Sequence, residues 1–102
     1  MTLEERKTEW EARQEADFAE LQAIFLESDY KGLLEKFEVK VTKQTNSQDD
    51  TEIFLRHKYI HTVRGIHGFR HYRDGLFFDR WARTDKRYTR SELIEKLNSL
   101  AK

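Results

Sequence analysis

The sequence contains no cysteine, no proline and only four glycines in its 102 residues. Without cysteine, a disulfide framework and any zinc site built on thiolates are excluded. Flexible linkers and disordered tails are usually rich in proline or glycine, so the scarcity of both argues against such segments. We therefore expect one folded domain that spans residues 1–102.

Long apolar runs are also missing. No apolar stretch approaches the roughly 18 residues that a membrane span needs. The chain begins Met1-Thr2-Leu3-Glu4-Glu5, which is acidic, whereas a secretory signal begins with basic residues and continues with an apolar stretch. The sequence therefore predicts a cytoplasmic protein without a membrane partner.

Charged residues are abundant but unevenly distributed. They make up 37% of the chain, against about 25% in a typical soluble domain. Residues 1–52 contain 14 acidic and seven basic side chains, while residues 53–102 contain five acidic and 12 basic ones. The formal net charge of zero hides this split, which indicates a charged partner or self-association.

The first 27 residues predict an amphipathic helix over residues 3–27. Thr2 and Glu5 have the spacing of a capping box, in which each side chain accepts a hydrogen bond from the other residue's backbone. Apolar residues follow at helical spacing. Lys7 and Gln14 interrupt this stripe, so we expect its first half to be less buried. The helix either covers a sheet or projects to pair with another chain.

Two further helices are expected. Ser28 or Asp29 can cap a short helix over residues 30–36. Thr89 and Glu92 repeat the capping-box spacing, which predicts that the final helix begins near Arg90.

The middle of the chain predicts three or four antiparallel strands. Alternation of apolar and polar residues begins at 37–42, and a polar loop follows over 44–50. A long strand is expected over 51–64, and shorter strands over 69–73 and 76–83. Asp74-Gly75 between the last two is a two-residue hairpin signal. Consecutive strands with helices at both ends predict an α+β fold with the helices on one sheet face.

The long strand has one face that is better suited to the core than the other. That face carries Ile53, Leu55, His57, Tyr59, His61 and Val63. Gly65 and Gly68 then bracket an expected turn or bulge.

A basic, aromatic surface on and beside the strands is the first candidate for function. Between residues 53 and 90 the chain has eight arginines and two lysines, and the planar guanidinium suits phosphate and carboxylate partners. The candidate residues are Arg56, Lys58, Arg70, Tyr72, Arg73, Arg80, Trp81, Arg83, Lys86 and Arg87. They favour a protein partner, including a second copy of the chain. A single-stranded nucleic acid is the alternative partner, and the same arginines could instead pair with the acidic first helix.

Four histidines form the second candidate. His57 and His61, like His67 and His71, are four residues apart, so each pair would share one strand face. Such pairs could ligate a metal or transfer protons in a metal-independent nuclease. No cysteine joins them as a metal ligand, and nothing in the sequence fixes their geometry for catalysis. We therefore assign no metal ligand, catalytic residue or cofactor, and an enzyme is the third interpretation after the two binding functions.

Overall fold

Helices cover one face of an antiparallel sheet in the computed structural model, which describes residues 2–45 and 50–102. The helices are α1 (Leu3–Glu27), α2 (Tyr30–Lys36) and α3 (Arg90–Ala101). The strands are β1 (Phe37–Thr42), β2 (Glu52–His57), β3 (Ile66–His71) and β4 (Phe77–Asp79), and a 3-10 turn lies at Val63–Gly65. The predicted α+β fold is confirmed, including the short second helix and the C-terminal helix.

Both predicted capping boxes are present. The Glu5 N–H donates to the Thr2 hydroxyl over 3.2 Å, and the Thr2 N–H donates to the Glu5 carboxylate over 3.3 Å. Thr89 and Glu92 make the same two bonds at the start of α3, at 3.1 and 3.2 Å. Each box satisfies backbone donors that the first helical turn leaves without partners.

The strands follow one another across the sheet in the order β1-β2-β3-β4, and each neighbouring pair is antiparallel. Val39 lies opposite Leu55, and Leu55 lies opposite His67 on its other side. Phe69 lies opposite Asp79. Because side chains alternate along a strand, these five residues share the face that the helices cover.

The core lies between this face and the helices. Its buried members are Leu21, Ile24, Leu33, Phe37, Ile53, Leu55, Phe69, Phe77, Tyr88, Leu93, Leu97 and Ala101. Every helix and every strand contributes at least one of them. The core therefore fixes the helices on the sheet by apolar burial from all elements.

Only the second half of α1 is packed in the core. Leu21 and Ile24 are fully buried, whereas every residue from Thr2 to Arg13 is exposed. Gln14 marks the boundary, and its side-chain oxygen accepts a bond of 2.8 Å from the Thr51 hydroxyl. The prediction that the first half of the helix is less buried is confirmed.

The long strand predicted over 51–64 is wrong beyond His57. There the imidazole Nδ1 accepts hydrogen bonds from the backbone N–H groups of Tyr59 and Ile60, over 3.0 and 3.1 Å. These bonds fold the chain into a turn. Ile53 and Leu55 lie in the core as expected, but Tyr59, His61 and Val63 are exposed.

The last two strands also differ from their predicted bounds. Gly68 lies inside β3 instead of at a turn, because β3 already begins at Ile66. β4 ends at Asp79, four residues before the predicted end. The Asp79 carboxylate accepts the Trp81 backbone N–H over 3.0 Å, and this bond turns the chain.

The predicted Asp74-Gly75 hairpin is confirmed. Its two residues have φ of 59° and 74°. Positive φ at both central positions is typical of a type I′ turn, which suits the twist of the flanking strands. The Tyr72 N–H donates to the Leu76 carbonyl over 2.7 Å and closes the hairpin.

Two further expectations concern the polar loop and the membrane. Residues 46–49 of the loop predicted over 44–50 lie outside the described residues. In the part of the chain that is described, none of the helices combines the length and apolar character required to cross a membrane.

A matched pair of leucine substitutions tests the core. Leu55→Ala removes a fully buried side chain and should lower the free energy of unfolding by about 2–5 kcal/mol. Leu34→Ala, at a position that is 47% exposed, should change it by less than about 0.5 kcal/mol. Urea unfolding measures both. Equal losses in the two variants would contradict this assignment of the core.

Candidate functional site

The sheet face that points away from the core is termed the open face. Its residues are Glu38, Lys40, Thr42, Glu52, Phe54, Arg56, Ile66, Gly68, Arg70, Phe78 and Arg80, as the strand register places them. Arg80 follows β4 directly, and its N–H donates to the Gly68 carbonyl over 2.9 Å. Three of the predicted site arginines therefore share this face.

A buried carboxylate lies at the centre of the open face. Glu52 is only 7% exposed and accepts hydrogen bonds from Arg70 Nε over 3.0 Å and Arg80 Nε over 2.9 Å. Arg70 also contacts Asp50 over 2.7 Å. A Cβ on Gly68 would lie 2.8 Å from the Glu52 carboxylate. The contacts of Glu52 with Arg70 and Arg80 therefore depend on glycine at position 68.

Two more predicted cations are also engaged within the chain. Arg56 contacts Glu38 over 3.0 Å, with both side chains mostly exposed. Lys58 Nζ donates to the Leu34 carbonyl over 2.9 Å. Together with Arg70 and Arg80, they leave fewer cations available for a partner than the sequence indicates.

An aromatic and cationic group, termed the hairpin cluster, consists of Tyr72, Phe78 and Arg87. The Arg87 guanidinium carbon lies 4.2 Å from the Tyr72 ring centroid and 5.5 Å from that of Phe78. The two rings are 5.8 Å apart in an edge-to-face arrangement. Reciprocal 2.8 Å backbone bonds between Phe77 and Tyr88 hold this segment beside β4 and so place Arg87 over the rings.

The remaining predicted site residues lie around the hairpin and at the far end of β4. Arg73 lies in the exposed turn before β4, and Lys86 Nζ lies 5.2 Å from the Tyr88 ring centroid. Trp81 and Arg83 follow the end of β4, where they line a cleft. The predicted residues therefore do not form one continuous site, because they are divided among the open face, the hairpin cluster and the cleft.

Asp79 is a functional candidate that the sequence analysis missed. Its buried carboxylate contacts His67 Nδ1 over 2.8 Å and accepts the N–H groups of Gly68 and Trp81, each over 3.0 Å. Burial raises the pKa of Asp79, but hydrogen bonds from His67 and the two N–H groups outweigh it, and the pKa lies below its ordinary value of 3.8. A carboxylate at a core-face position of β4 was the available signal.

The four histidines occupy separate environments. His57 caps the turn after β2, and His61 is exposed in the following loop. His67 contacts Asp79, and His71 lies 3.4 Å from Glu20 of α1. Among residues 2–45 and 50–102, no group of three or more histidines and carboxylates is arranged to hold a metal ion.

Substitution of Glu52 tests the centre of the open face. Glu52→Ala should lower the free energy of unfolding by about 1–3 kcal/mol, since it removes charged hydrogen bonds from a buried site. Glu38→Ala removes the exposed partner of Arg56 and should cost at most about 1 kcal/mol. Denaturant unfolding of both variants measures the difference. A larger loss for Glu38→Ala would refute this ranking of the two pairs.

Acid titration tests the Asp79 hydrogen bonds. The pKa of Asp79 is lower in the folded chain than its ordinary value of 3.8. Its contribution to the free energy of unfolding is therefore complete above pH 3.8 and is lost as pH falls through the folded pKa. Asp79→Asn should therefore be less stable than the unsubstituted protein near neutral pH, and the difference should shrink below about pH 4. Urea unfolding across this range measures it, and a pH-independent difference would count against the assignment.

Comparison with protein-family models, with curated proteins and with solved structures gave no match. The function therefore has to be inferred from the residues themselves.

Proposed function

We propose that this protein is a non-enzymatic binding protein that recognises another protein through the open face and the adjoining hairpin cluster. The proposal depends on the Arg87 guanidinium, whose carbon lies 4.2 and 5.5 Å from the ring centroids of Tyr72 and Phe78. Tyr72 remains 44% exposed, so this group is available to a partner. Arginine and tyrosine are among the residue types that dominate binding energy at protein interfaces.

Preorganisation of the hairpin cluster supports this role. A flexible arginine normally loses side-chain entropy when it is fixed in an interface, at a cost of about 0.5–1.5 kcal/mol. Contact with two rings already restricts Arg87 in the free protein. A partner carboxylate could then bind the planar guanidinium edge with less loss of entropy.

The charges of the open face favour a protein over a nucleic acid. Arg56, Arg70 and Arg80 each contact a carboxylate. A phosphate backbone on this face would approach Glu38 and Glu52 as well as the arginines, and it needs cations that are not already neutralised. A protein surface can complement an alternation of both signs.

A single-stranded nucleic acid is the second candidate partner. Arg73 and Arg87 contact no carboxylate among the described residues. Next to Tyr72 and Phe78 they provide cations beside rings, which is the combination that single-strand binders use. The favourable region is small, however, and the central carboxylate adjoins it.

A second copy of the chain is the first protein partner to consider. The exposed half of α1 presents Leu3 and Trp10, which are 85% and 38% exposed. They lie seven residues apart and therefore on one face of the helix. These apolar side chains are not used in the core.

The nuclease reading receives less support, because the four histidines lie in separate environments.

Site-specific photocrosslinking tests the proposed function. A photoreactive phenylalanine analogue at position 72 should give a discrete protein adduct in the source cells, because an aromatic ring there preserves the hairpin cluster. The same analogue at Leu34, which is similarly exposed, should not. Arg87→Ala should reduce the adduct about tenfold, the effect of losing one interface contact of about 1.4 kcal/mol.

The nature of the adduct decides between partners. An adduct of twice the chain mass identifies a second copy, and another discrete mass identifies a different protein. Sensitivity to nuclease would replace the proposal with nucleic-acid binding. Absence of an adduct, or equal adducts from positions 72 and 34, would rule out recognition through this surface.

A further inference from the structure

A cleft of about 480 Å³ opens at the end of the sheet where β3 begins and β4 ends. It is within the range of about 300–1,000 Å³ that is typical of small-molecule sites. Arg64, His67, Asp79, Trp81 and Arg83 are among its lining residues. Its location separates it from the hairpin cluster, so a ligand here is distinct from the partner proposed above.

His67 has one ring nitrogen engaged and the other available. Its Nδ1 lies 2.8 Å from the Asp79 carboxylate, and an ionised carboxylate only accepts hydrogen bonds, so Nδ1 carries a proton. Nε2 makes no hydrogen bond to a described residue, and the side chain keeps 15% of its surface exposed. The buried carboxylate thus fixes the ring and leaves Nε2 for a ligand.

The two arginines of the cleft differ from those of the open face. Arg64 and Arg83 are exposed, and neither guanidinium contacts a carboxylate or donates a hydrogen bond to another group in residues 2–45 and 50–102. Their sequence positions are distant, and the β2–β3 loop and the chain after β4 bring them to one cleft. Two guanidinium groups without internal partners form a favourable site for an anion.

Trp81 gives the same cleft a planar wall. The Arg80 guanidinium carbon lies 4.8 Å from its ring centroid, and the Trp81 backbone N–H donates to Asp79 over 3.0 Å. The backbone bond fixes the start of the side chain, and the Arg80 guanidinium lies beside its ring. Val63 and Ala82 add apolar surface to the lining, so the cleft combines cations with a flat apolar side.

We propose that this cleft binds a small phosphate monoester that carries a planar ring, of the size of a nucleoside monophosphate. Arg64, Arg83 and His67 Nε2 bind the phosphate oxygens, and the planar group stacks on Trp81. Two guanidinium groups and an imidazole match the several acceptor oxygens of a phosphate monoester. A planar ring of the size of a nucleic-acid base can stack on the Trp81 indole, and such stacking is worth about 1–3 kcal/mol per base.

Tryptophan fluorescence tests the site. Trp10→Phe leaves Trp81 as the only indole, because the chain has two tryptophans. Addition of adenosine monophosphate should quench it along a saturable curve, and adenosine and inorganic phosphate should each bind at least about tenfold more weakly, since each lacks one of the two recognised groups. Absence of saturation with adenosine monophosphate at millimolar concentration would overturn the proposal.

Matched charge substitutions separate this site from general attraction. In the Trp10→Phe background, Arg64→Ala or Arg83→Ala should weaken adenosine monophosphate binding at least about tenfold. Arg13→Ala removes the same charge from the exposed half of α1 and should leave affinity within about twofold. Both cleft arginines are exposed, so folding should persist, as circular dichroism can verify. Equal weakening by Arg13→Ala would overturn the proposal.

Discussion

The buried carboxylate of Asp79 organises one end of this protein. Burial of an ionised group costs several kcal/mol unless it is paired and hydrogen-bonded. Asp79 meets this requirement through His67 and two backbone N–H groups. These contacts end β4, fix the imidazole and orient the Trp81 backbone, and all three residues line the cleft.

A second buried carboxylate joins the acidic half of the sequence to the basic half. Glu52 from the acidic half contacts Arg70 and Arg80 from the basic half. Glu27 and Arg90 pair in the same way between α1 and α3. Antiparallel pairing brings the two halves side by side, and the opposite charges then meet within one chain. Among the described residues, four of the 12 basic side chains of residues 53–102 contact carboxylates of residues 1–52, namely Arg56, Arg70, Arg80 and Arg90. Part of the split is therefore matched within the chain.

Features with local causes could be predicted from the sequence, while those that depend on tertiary contacts could not. Helix starts follow from Thr-x-x-Glu spacing, and the Asp74-Gly75 hairpin follows from glycine's tolerance of positive φ. The end of β2 depends instead on the His57 ring accepting two backbone N–H groups, which alternation of residue types does not reveal. The division of the arginines between internal pairs and exposed positions likewise depends on the register.

The exposed half of α1 gives one helix two different local stabilities. An isolated helix of about 12 residues is marginal in water because nucleation is costly, and residues 2–13 have only their capping box and the following turns to hold them. Their amide hydrogens should exchange by fraying, whereas those around Leu21 and Ile24 exchange only when the core opens. The protein thus carries a helical arm that can unwind and rewind without loss of the fold.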